Sequence, residues 1–164
     1  MRYFLKTAAL AAYVCLVSAG SAVAASKCYT PEEAAAEQGL RIHSELMVIG
    51  LNCQAMKFKD GTNLYMEYRK FTNEHSDLFS GYEATMMDYY KRQGIPDPEA
   101  KLKTLRTQLA NKISDSAVRM KPDRFCNSYA GRIFQAASMD RGTLATWAST
   151  IYPSHPVSQP ICEQ

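Results

Sequence analysis

Five cysteines set the terms for this chain, because where they fall decides where the fold can be clamped. Cys15 lies inside a stretch that reads as an export leader. Arg2 and Lys6 precede an apolar run from Ala8 to Val17, and small residues end in Ala22-Val23-Ala24-Ala25. That run is shorter than the roughly 20 residues a membrane-spanning helix needs. Residues 1–25 are therefore expected to be a secretory signal peptide, delivering the rest to the periplasm or the exterior. Cys28, Cys53, Cys126 and Cys162 remain, and an even set in an oxidising compartment predicts two disulfides.

Between the cysteines the pattern is helical. From Glu32 to Phe58, Ile42, Leu46, Ile49, Cys53 and Met56 recur at spacings of four and three, with the charges Arg41, Glu45 and Lys57 off that line. Thr30, Pro31 and Glu33 supply a cap, a first-turn proline and the acid of a capping box. A second helix is predicted from Leu64 to Arg92, burying Leu64, Tyr68, Phe71, Leu78, Tyr82, Met86 and Tyr89, with His75 on the same line. Gln93-Gly94-Ile95-Pro96 ends it and Asp97-Pro98-Glu99 opens a third, whose stripe runs from Leu102 to Met120. After Lys121-Pro122-Asp123 a fourth continues from Phe125 to Ala137, and a shorter fifth runs from Gly142 or Thr143 to Tyr152.

The fold class is all-α: an up-down helical bundle of four main helices plus a short fifth over residues 26–152. A Pro-rich tail, residues 153–164, is expected to be extended and tied back by a disulfide. Alternating helix directions bring Cys53 to the end where the fourth helix begins, which favours Cys53–Cys126 and leaves Cys28–Cys162 as the strap. A Cys28–Cys53 bond would require one unbroken helix, roughly 35 Å at about 1.5 Å per residue, to fold back on itself.

Charge excludes some partners. The formal net charge of +3 falls to about +1 once Arg2 and Lys6 leave, too little to argue for nucleic acid or anionic lipid. Its distribution is uneven. Acids outnumber bases from Cys28 to Tyr90, and eleven bases face five acids from Lys91 to Arg141. Either the halves pair with each other, or the basic 101–124 region (Lys101, Lys103, Arg106, Lys112, Arg119, Lys121, Arg124) docks an acidic protein or envelope polymer.

No catalytic constellation emerges. Glycine-rich phosphate loops, a Gly-x-Ser-x-Gly elbow, Cys-x-x-Cys and Glu-x-x-His are all missing from the sequence. His75, on a core stripe, would act as a general base only if a cleft opened over it. His43 and Met47, one helical turn apart, are a soft pair suited to copper but lack a third ligand. Tyrosines crowd the second helix, and those left outside, with Met87, would form an adaptable binding surface, for which Tyr65 and Tyr90 are the candidates. The sequence thus reads as an exported, non-enzymatic binding protein of the cell envelope (inhibitor, adaptor or chaperone-like). Its partner would be another envelope protein, and no cofactor is implied. The alternative is a small periplasmic copper protein using His43 and Met47.

Overall fold

A computed structural model describes residues 27–56, 58 and 60–163, so the leader expected at 1–25 lies outside the described residues. Six helices follow one another: α1 Pro31–Cys53, α2 Leu64–Glu74, α3 Ser76–Arg92, α4 Pro98–Arg119, α5 Pro122–Ala137 and α6 Arg141–Ser149. Among the described residues there is no strand beyond one isolated bridge, and no helix is long and apolar enough to cross a membrane. The fold is all-α.

α1 is the axis of the molecule and touches each of the other five helices. Its start follows from the sequence. The Glu33 N–H donates to Thr30 Oγ1 (3.2 Å) and the Thr30 N–H to Glu33 Oε2 (2.8 Å), two otherwise orphaned amides satisfied reciprocally. α4 begins the same way, with the Ala100 N–H on Asp97 Oδ1 (2.9 Å) and Pro98 in the first turn. α3 stops where Gly94 takes φ +70°, a conformation open to glycine, and Ile95 N–H returns to the Tyr90 carbonyl.

Four expectations need correction. The first helix ends at Cys53 rather than Phe58: the chain turns at Gln54-Ala55, Asn63 Nδ2 takes the Gln54 carbonyl, and Phe58 lies edge-on to Phe134. The predicted helix Leu64–Arg92 is two, broken at His75 (φ −114°, ψ 19°), which makes six helices where five were expected. Beyond the break Phe79, not Leu78, is buried, and its ring meets Phe71 at 5.7 Å. Arg41, expected on the solvent side, is buried.

Two apolar clusters flank α1. One gathers Leu46, Ile49 and Cys53 with Leu64 and Phe71 of α2 and Phe125 and Cys126 of α5; the other joins Leu40 to Met86 and Tyr89 of α3 and Leu105 and Leu109 of α4. Close approach of α3 depends on Gly39, where a Cβ would clash with the Tyr82 ring. The sulfurs of Cys28 and Cys162, and of Cys53 and Cys126, lie at disulfide distance, with Cα separations of 5.0 and 5.6 Å. They hold opposite ends of α1, one just before its first turn and one at its last residue.

Candidate functional site

Rows of side chains at helical spacing on α1 and α4 leave a groove of about 490 Å³ between them. α1 contributes His43, Ser44 and Met47; α4 contributes Leu102, Arg106 and Ala110, with Glu99, Lys103 and Thr107 along its edge. Met47, Leu102 and Ala110 make the floor apolar, while the α4 rim carries Lys103 and Arg106 beside Glu99. Arg106 is fixed from α3, donating to Glu83 Oε1 at 2.7 Å. Partial burial, reinforced by the Arg106 charge, pushes the His43 pKa down to about 4, so the ring is neutral at pH 7. Its Nε2 lies 3.0 Å from the Tyr68 hydroxyl, and its ring centroid lies 4.7 Å from that of Phe79.

His43 and Met47 therefore share one wall, but in positive company. Among the described residues no group of three or more His, Cys, Asp or Glu side chains is placed to hold a metal ion. His75 is buried at the α2–α3 break, with Nε2 3.2 Å from the Met139 carbonyl and its ring against Phe71. That side chain stitches the break to the segment before α6, and it is not part of the groove.

The tyrosine surface is not assembled as expected. Tyr90 is only 4 % exposed. Tyr29, lying edge-on to Tyr89 at 4.8 Å, and the chain before α1 cover this end of α3, and desolvation pushes the Tyr90 hydroxyl up to about 12. Met87 is half-buried beside the same cluster, whereas half-buried Tyr65 packs on the other one. The break at His75 puts Tyr65 and Met87 on separate helices, so the three residues form no common patch.

The charge halves meet each other. Arg92–Glu33, Arg106–Glu83, Arg132–Glu45 and Arg141–Asp77 each join an acid from the first half to an arginine from the second. Of the basic 101–124 region only Arg106 is used this way; Lys101, Lys103, Lys112, Arg119, Lys121 and Arg124 are exposed without an ion pair among the described residues.

Sequence reasoning missed a buried polar node around Glu37, which is 0 % exposed. Its carboxylate accepts from the Tyr29 hydroxyl (2.8 Å), from the Ser158 N–H (2.8 Å) and from the Ser158 hydroxyl, with Arg41 3.5 Å away. Arg41 in turn donates to the Pro156 carbonyl at 2.7 Å. The available signal was Glu33, Glu37 and Arg41 at four-residue spacing, a charged row on the helix whose neighbours are Ala34, Ala35, Ala36 and Leu40. Compared with known proteins, the chain matches no family model, no curated protein and no solved structure.

Proposed function

We propose that this chain is an exported binding protein without catalytic activity, and that the α1–α4 groove receives an acidic, apolar-anchored segment of another envelope protein. The observation that carries this reading is the groove itself: an apolar floor of Met47, Leu102 and Ala110 beside Arg106 and Lys103, the latter exposed and without an ion pair among the described residues. Apolar side chains of the partner would supply affinity, and its carboxylates would set orientation and rate of encounter. Two cysteine pairs at disulfide distance support a periplasmic or secreted location.

Affinity capture from envelope extracts, with the mature oxidised protein as bait, tests it. Thr107→Trp fills the groove from an exposed position and Lys103→Glu reverses the rim. A partner retained by wild type and by Tyr65→Ala, but lost from both groove variants, is the expected result. The same partner on all four baits sinks the proposal.

A copper reading keeps one observation, the shared wall of His43 and Met47. Neighbouring Arg106 and Lys103 oppose a cation there, and His43 Nε2 already meets Tyr68. Anaerobic copper(I) titration against a competing chelator is expected to show no stoichiometric uptake.

A further inference from the structure

A second cavity, of about 370 Å³, opens on the opposite side of α4 from the groove, and neither its walls nor its chemistry depend on the function proposed above. Its volume falls in the range of small-molecule sites. Four separate stretches build it. The chain before α1 brings Lys27 and Tyr29, the end of α3 brings Tyr89 and Tyr90, α4 brings Lys101 and Gln108, and the C-terminal strap brings Ser158 and Gln159.

The lining is selective in charge. Lys27 and Lys101 are exposed and have no ion pair among the described residues, and no acid lines the cavity. The nearby carboxylate of Glu37 is enclosed and already committed to Tyr29, Ser158 and Arg41. The remaining polar groups are neutral and suited to hydroxyls: the Gln108 and Gln159 amides offer both donors and acceptors. Tyr90 is more than nine-tenths buried, lines this cavity, and makes no side-chain hydrogen bond with any described residue. Its hydroxyl is not one of the enclosed unpaired atoms, so it stands open to the cavity as a donor and acceptor for a ligand oxygen.

We propose that this cavity binds a small hydroxylated carboxylate of the sugar-acid class, its charge held by Lys27 and Lys101 and its hydroxyls by Tyr90, Gln108 and Gln159. The site exists only while the strap is closed. The Cys28–Cys162 pair and the Tyr29–Ile161 bridge hold two of its four walls together, so opening the staple removes Lys27 and Tyr29 from Ser158 and Gln159.

The test is an NMR titration of the mature oxidised protein with D-glucuronate, with D-glucose and acetate as neutral and charge-only probes. Saturable shifts confined to residues around Tyr90, Lys101 and Gln108, with glucuronate at least about tenfold tighter than either control, are expected. Tyr90→Phe, which keeps the ring, should weaken binding about fivefold, and Lys101→Ala about tenfold. Thr107→Trp, in the other groove, should leave it unchanged. A linear tri-uronate separates the two sources of this chemistry: equal affinity points to a free sugar acid, and tighter binding to the end of an acidic polysaccharide. Equal response to acetate, no saturation, or full affinity in both Tyr90→Phe and Lys101→Ala would overturn the assignment. The double variant Cys28→Ser/Cys162→Ser, checked for retained helicity by circular dichroism, should lose binding; undiminished binding in that folded variant contradicts a site assembled by the strap.

Discussion

Between Glu33 and Arg41, α1 buries four side chains that carry a charge or an amide; between Leu46 and Cys53 it buries only apolar side chains and a glycine. What lies across from each half explains the contrast. One side of the first half is roofed by irregular chain, residues 27–30 and 156–162, whose two segments pair with each other at Tyr29 but leave the Pro156 and Ser158 peptide groups to find partners. Glu37 and Arg41 supply them, to the Ser158 N–H and the Pro156 carbonyl. Helices α2 and α5 cover the second half, and a helix satisfies its own backbone, so Leu46 and Ile49 meet only side chains such as Phe71 and Phe125. Along this axis Glu37 and Arg41 face the irregular cover, and the apolar row from Leu46 to Cys53 faces helices.

The largest effect should come from opening one staple at a time. Sequence separations of 134 and 73 give about 5 and 4 kcal/mol in the chain-entropy model, as upper values, for Cys28–Cys162 and Cys53–Cys126. Hydrogen exchange should lose protection first at Glu33–Arg41 in the one variant and at Leu46–Cys53 in the other; loss over all of α1 in both would erase the distinction between halves. Next, Glu37→Ala strips the node of its acceptor and leaves the Arg41 charge buried, a cost of about 3–5 kcal/mol by urea denaturation. Replacing both residues, Glu37→Leu with Arg41→Met, should recover part of that loss, and no recovery would mean the strap hydrogen bonds, not the charge, set the cost.

His43 stands at the boundary between the halves, and its effect is one of pH. Its folded pKa of about 4 lies below the unfolded value of about 6.5, so between them the unfolded chain binds more protons. This contribution is complete above pH 6.5 and is lost as pH falls toward 4, on the order of 3 kcal/mol at most. Stability of wild type and His43→Phe measured from pH 7 to 5 should differ in slope, and parallel curves would refute the buried neutral ring. The smallest pair compares two glycines. Gly39→Ala drives a methyl into Tyr82 and should cost about 1–3 kcal/mol, whereas at Gly50 the nearest atom, Tyr68 Cβ, is 3.2 Å away and the change should cost less. The reverse order in thermal melts would show that α3 yields more readily than α2.

Local signals were legible in the sequence, and distant ones were not. Thr30, Pro31 and Glu33 began α1 and Asp97-Pro98 began α4, because caps depend on neighbours in the chain. The cysteine pairs were reachable from helix order alone. His75 broke its helix without a proline or glycine, through a bond to Met139 sixty-four residues on. Glu37 and Arg41 looked like surface charge because their partners arrive 121 and 115 residues later, and Tyr90 looked exposed because its cover begins at Lys27. The groove had the same obstacle: His43 and Met47 were visible as a pair, but Arg106, which defines their surroundings, belongs to another helix.

The roof over Glu37 has a consequence for biogenesis. A chain made from its amino end presents Glu33, Glu37 and Arg41 long before Pro156 and Ser158 emerge. During that interval the carboxylates and the guanidinium stay hydrated, and this end of the axis cannot dehydrate until the last stretch arrives. The far end, needing only α2 and α5, is free to consolidate earlier, so the order of maturation runs from Cys53 back toward Cys28.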